Sequence, residues 1–133
     1  PQKRCRRGDP AVREGLHDIY ASAAIVVGDS CFAGSPYYWS DRVPETMGRG
    51  GFLLHPHSTG MDTGDVAGPG TAGVVGMGEY ASADLGSLRE QIEYYLLHEI
   101  ERVEMQREGF EWTRAHSTYT HRVQEMLRVM ELD

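Results

Sequence analysis

The chain has 133 residues with 13 lysine and arginine against 20 aspartate and glutamate, a formal charge of -7 and an isoelectric point near 5.3. That length is one domain's worth with room for a real core, and the acidic balance excludes a nucleic-acid surface spread over the whole chain. No apolar run is long enough to cross a bilayer and no signal peptide is visible.

Residues 1–10 hold the one concentration of positive charge, Lys3, Arg4, Arg6 and Arg7, and read as a loose, solvated basic tail. Cys5 and Cys31 have neither metal-ligand spacing nor a disulfide framework, which fits a reducing cytoplasm. The chain opens at Pro1 rather than at methionine, so the expectation is a piece of a longer protein.

From Pro10 to Ala21, Val12, Leu16, Ile19 and Tyr20 recur at spacings of three and four, the pattern of an amphipathic helix. The β-branched run Ala23 to Val27, closed by Gly28-Asp29-Ser30, predicts a buried strand whose carboxyl end opens into a loop reaching Trp39. Ser40 is a good helix N-cap, Asp41 suits the first turn, and Pro44 falls where its missing donor removes at most one intrahelical bond. A short helix is therefore expected from Ser40, followed by a glycine turn and a second strand from Phe52 to His55. Residues 57–78 are rich in glycine and predict a long loop or insertion with a short strand around Val74 to Tyr80.

Leu85, Leu88, Ile92, Tyr95 and Leu96 mark a helix from about Asp84 to His98. A further segment spans Glu99 to Glu108, is interrupted by Gly109 and resumes from Phe110 to Ala115. The last helix starts near Thr118 and carries Val123, Met126, Leu127 and Met130 on one stripe, read as a core seam. Acidic residues from Glu90 through Glu111 read as a solvated face.

Alternating helices and short buried strands imply an α/β fold, a Rossmann-like parallel sheet flanked by helices. Ligands of such sheets bind beyond the carboxyl ends of the strands, where Asp29, Ser30, the Ser40 helix start and His55 would gather. The helix start and the Arg42 guanidinium suit a phosphate, and Glu45, one turn on, suits ribose hydroxyls. Arg42 and Glu45 read equally as a solvated ion pair worth a few tenths of a kcal/mol.

Other residues carry rival chemistry. His55-Pro56-His57, with Asp62 and Asp65 close by, has a two-histidine spacing that some metal hydrolases use. His116 reads as capping or packing a helix end and His121 as exposed, while Cys31 reads as a small buried hydrophobe. Tyr37, Tyr38 and Trp39 suit stacking on a base or sugar and suit packing of their own loop equally.

The series Ser40-Asp41-Arg42-x-x-Glu45-x-x-Gly48-Arg49-Gly50-Gly51-Phe52-Leu53-Leu54, then Leu88-x-x-x-Ile92-x-Tyr94-Tyr95-Leu96, then Gly109, His116 and Thr118-Tyr119-x-His121-Arg122, resembles the CgeB-like (spore maturation protein type) group 1 glycosyltransferases. The resemblance runs from about Ile19 to Met130. It implies the C-terminal, donor-binding half of a GT-B enzyme, with residues 11–133 a nucleotide-sugar-binding domain and an N-terminal acceptor domain elsewhere in a longer chain. A nucleotide-diphosphate sugar is then the substrate, transferred to an acceptor, and no metal is expected. By the same resemblance Glu45 is the ribose-binding second acid of a motif of two glutamates separated by seven residues, and Ser40 and Arg42 form the diphosphate site. Tyr37 stands where the first glutamate of that motif would be. A module that binds nucleotide-sugar without transferring it is the alternative reading.

Overall fold

The computed structural model describes residues 10–32, 35, 38, 40–61, 73–81 and 84–131. The basic run of residues 3–7, Cys5, Tyr37, Trp39, Asp62, Asp65 and the glycine-rich stretch of residues 62–72 lie outside the described residues. Helix α1 spans Pro10–Ser22, strand β1 Val26–Val27, helix α2 Arg42–Met47, strand β2 Leu53–Pro56 and strand β3 Gly78–Tyr80. Three helices follow: α3 over Leu85–Leu97, α4 over Glu99–His116 and α5 over Tyr119–Val129.

The three strands form a parallel sheet in the order β1-β2-β3. Val26 is in register with Leu53, and Leu54 lies between Val27 on one side and Gly78 on the other. The sheet is therefore parallel with helices over it and more helices at the C-terminal end, the expected α/β architecture. Pleating explains why residues 52–54 are apolar without a break. Phe52 and Leu54 share one face and pack with Tyr95, Leu88 and Ile92 of α3, whereas Leu53 turns to the other face and meets Val43 and Met47 of α2 and Trp112 of α4. Phe52, just before β2, and Leu53 and Leu54 within it are all fully buried.

Helix α2 is short but clearly amphipathic. Val43, Thr46 and Met47 are buried, one turn apart on the inner side, which leaves Arg42 and Glu45 exposed. The N-cap of this helix is Asp41, one residue later than expected, and Asp41 makes no side-chain cap bond. Ser40 acts in its place: its Oγ accepts from the Arg42 amide at 3.2 Å and its carbonyl accepts from the Val43 amide at 3.0 Å.

Three expectations about the C-terminal helices need correction. Gly109 does not interrupt a helix, because α4 runs unbroken from Glu99 to His116. The glycine serves packing instead: a Cβ there would sit 2.7 Å from the Gly76 carbonyl oxygen and 3.1 Å from Met47 Cε, so only a residue without a side chain lets α4 come this close to α2 and the approach to β3. The Val123, Met126, Leu127 and Met130 stripe of α5 is exposed rather than a core seam. Its periodicity is real, but among the described residues α5 packs extensively against no other helix or strand. Finally, the Thr118 and His121 pair closes a capping box, with His121 Nδ1 accepting from the Thr118 amide, so His121 is a half-buried cap partner and not a free surface ring.

Gly76 is the other half of the α4 contact. Its φ is +78°, and a Cβ on it would fall 2.0 Å from the Gly109 amide nitrogen. Gly76→Ala combines a left-handed backbone with a backbone clash, and is expected to cost about 2 kcal/mol or more of folding stability. Chemical denaturation of the purified variant checks this, and an unchanged midpoint would refute the close-packing account.

Candidate functional site

The carboxyl edge of the sheet is tied together by side chains from three elements. Arg42, at the start of α2, forms an ion pair through its Nη1 with Asp29, just past the end of β1. Both groups are substantially exposed, 47% and 72%, so the pair contributes under about 1 kcal/mol and its main effect is geometric. Tyr80, at the end of β3, donates its hydroxyl to the Gly28 carbonyl at 2.8 Å, reaching across β2 to pin β1 from the opposite side. Burial, followed by the nearby Asp29 charge, raises the Tyr80 pKa and keeps this donor protonated.

His55 lies beneath that edge, fully buried. Its ring occupies the space beside Gly28, where a Cβ would come within 2.9 Å of His55 Cδ2. Nδ1 lies 2.8 Å from the Pro56 carbonyl, the geometry of a donated bond, and Nε2 has no partner among the described residues. Burial lowers the His55 pKa below 6.5, against smaller opposing effects of the Pro56 bond and of the Glu79 and Asp29 charges. The ring is therefore held neutral. His57 has a different environment: it is exposed, and its Nδ1 sits 2.7 Å from a Glu79 carboxylate oxygen. The two histidines thus face different partners, and among the described residues no group of three histidine, cysteine, aspartate or glutamate side chains converges.

A cleft of about 610 Å³ opens between α2 and the corner that joins α4 to α5. Asp41, Pro44, Glu45, Gly48 and Arg49 line it on the α2 side, Ser117, Thr118, Tyr119 and Arg122 on the corner side, and Tyr38 joins them from the preceding loop. Glu45 thus opens on a cavity. Ser40 and Arg42, the other two expected ligands, are not among its described lining residues: Ser40 is engaged with the Arg42 amide and Arg42 with Asp29.

The guanidinium groups of this cleft are held from behind. Arg49 donates from Nη1 to the Glu45 carbonyl at 3.0 Å, lies 3.8 Å from the Glu45 carboxylate and stacks over the Tyr20 ring of α1 at 5.6 Å. Arg122 donates from Nη2 to Ser117 Oγ at 3.2 Å. Tyr38 packs its own loop, with its ring edge-on against Phe32 at 4.9 Å, and the residue also lines the cleft. Cys31 is exposed and free, which corrects its reading as a buried hydrophobe. His116 packs at the end of α4 with its ring 6.0 Å from that of Trp112.

Sequence reasoning missed Arg49, Ser117, Thr118 and Arg122 as cleft residues. The signal was present in Thr118-Tyr119-x-His121-Arg122, a polar cluster at a helix start of which only the cap explains two members.

The buried neutral His55 makes stability depend on pH in a definite direction. Its folded pKa is lowered, so the unfolded chain binds the proton more readily, and stability falls as pH drops through 6.5 toward the folded value. Urea denaturation at about pH 7.5 and about pH 5.5 should show a lower midpoint at acid pH, and His55→Leu should shrink that difference. An identical pH response in the variant would remove His55 as its source.

The parallel sheet flanked by helices and the motif series agree with the comparison to known families. No curated protein and no solved structure matches the chain. Among the described residues no helix is long and apolar enough to cross a membrane. The profile described as glycosyl transferase-like matches residues 1–128, nearly the whole chain. With that match over this fold, the chain belongs to the glycosyl transferase-like family, whose members act on a sugar donor.

Proposed function

We propose that this chain is the donor-binding part of a GT-B glycosyltransferase of the CgeB-like type, and that it holds a nucleotide-diphosphate sugar at the carboxyl edge of its sheet. Glu45 accepts hydrogen bonds from the ribose hydroxyls, while Ser40 and Arg42 face the diphosphate. An acceptor domain N-terminal to it completes the enzyme, and the reaction takes place in the cytoplasm.

The observation that carries this reading is the placement of α2. Its first residue is tied by Asp29 to the end of a parallel strand, and its next exposed residue, Glu45, opens on a cleft large enough for a nucleotide. Residues three apart on a helix rise by about 4.5 Å, the scale that separates a ribose from the phosphate next to it. Sugar transfer breaks the bond between the anomeric carbon and the donor's diphosphate, so negative charge grows on the phosphate oxygens as the bond lengthens. A guanidinium held at that edge stabilises the departing diphosphate. For Arg42 this means giving up Asp29, an exposed partner and hence a weak one, for a phosphate.

Glu45 is exposed and makes few contacts, so Glu45→Ala is expected to fold normally. Titration calorimetry with UDP, GDP and dTDP should detect one preferred diphosphate, with Glu45→Ala and Arg42→Ala each weakening it roughly tenfold, the scale of a hydrogen bond to a charged group. Unchanged affinity in both variants, or no binding of any of the three by the intact protein, would overturn the proposal.

A further inference from the structure

We infer that Arg122, at the start of α5, is a second anion-binding residue of this cleft and acts together with Arg49 on the phosphate groups of the ligand. The inference deepens the donor-binding reading above and rests on it for the identity of the ligand, a nucleoside diphosphate.

Three observations carry it. First, the two arginines open on one cavity from opposite walls, Arg49 from the α2 side and Arg122 from the corner. Second, the acids of the cavity stand on one wall only. Asp41 and Glu45 share the α2 side with Arg49, and the corner side offers Arg122 with the hydroxyl residues Ser117, Thr118 and Tyr119, without an acid among the described lining residues. A ligand with hydroxyl groups at one end and phosphates at the other matches that division. The hydroxyls donate to the carboxylates and the phosphates accept from the guanidinium groups.

Third, Arg122 is oriented but not neutralised. The described partner of its guanidinium is Ser117 Oγ, and no carboxylate among the described residues forms an ion pair with it. The bond to Ser117 uses one of five guanidinium N–H groups, leaving the others available. Because Ser117 Oγ accepts in that bond, its own hydroxyl proton is free to donate to the same phosphate. Thr118 and Tyr119 also bring the amino end of the 11-residue helix α5 to the cleft, which adds a partial positive charge from the helix dipole.

Calorimetry with UDP, GDP and dTDP, together with inorganic pyrophosphate and with uridine, guanosine and thymidine followed by NMR chemical shifts, separates the two parts of the cleft. Arg122→Gln should weaken the preferred diphosphate and pyrophosphate about tenfold and flatten the salt dependence of both, while leaving the matching nucleoside unaffected. Arg122→Lys should recover part of the loss, because it keeps the charge and gives up the fork. Ser117→Ala should give a smaller loss of the same selectivity. Glu45→Ala has the opposite pattern, losing nucleoside and diphosphate alike.

The outcomes are distinct. Diphosphate binding that depends on Glu45 but not on Arg122 overturns the Arg122 assignment and leaves the donor-binding reading intact. Pyrophosphate binding that depends on Arg122 in a protein indifferent to nucleotides retains the anion site and overturns that reading. Equal losses of nucleoside and pyrophosphate in Arg122→Gln mean a structural role only. If Arg122→Gln does not fold by circular dichroism, Arg49→Gln, measured in the same way, must show the pyrophosphate-selective loss or the proposal fails.

Discussion

Burial of β2 on both faces is the constraint from which the rest of the molecule follows. A strand flanked on both edges and covered on both sides has no solvent-facing residues, so Phe52, Leu53 and Leu54 must each find apolar partners. Phe52 and Leu54 recruit α3 through Tyr95, and Leu53 recruits α2 and α4 through Met47 and Trp112. Each fully buried large side chain contributes on the order of 1.5–3 kcal/mol of transfer free energy. That makes this small cluster the dominant stabilising feature of so short a sheet, and it fixes where α2 and α4 sit.

The position of α4 then depends on an absence of side chains. Gly76 and Gly109 meet backbone to backbone, which brings α4 against Met47 of α2. Once α4 lies there, its end at His116 and the turn through Ser117 fall opposite the outer face of α2, and the cleft is the space between them. Polar side chains refine this frame without holding it together. The Asp29 and Arg42 pair ties the end of β1 to α2, and the Tyr80 bond to Gly28 ties it to the end of β3, each worth little energetically but sufficient to aim a side chain.

The cleft so formed is chemically divided. Both carboxylates, with Arg49 beside them, stand on the α2 wall anchored to the sheet edge, while Arg122 and hydroxyls stand on a corner whose second helix has few packing partners. A rigid wall suits the part of a ligand that must be discriminated. A corner built from the starts and ends of two helices suits the part whose charge changes as a bond breaks, because helix ends offer unpaired backbone groups.

Local patterns in the amino-acid sequence determined the elements. The helical spacing of Leu88, Ile92 and Tyr95 and the continuous apolar segment at residues 52–54 are short-range signals of period and burial that identify real elements, whereas the β-branched run before Gly28, expected as a buried strand, forms only the two-residue β1, half-buried at Val26 and exposed at Val27. The motif series likewise identified the glycosyl transferase-like family, and Glu45 was found as a residue on the free face of a short helix. What failed was whatever depended on neighbours distant in the chain. Gly109 looked like a helix breaker because propensity sees only a missing side chain, not the Gly76 backbone that needs the space. The apolar stripe of α5 looked like a core seam because periodicity reports a face and not what covers it. Arg49 and Arg122 are far apart along the chain, and nothing local in either says that they share a cavity. Only the packing of α4 across the two glycines brings them together, since a cleft is a property of surfaces that meet rather than of any segment that forms one of its walls.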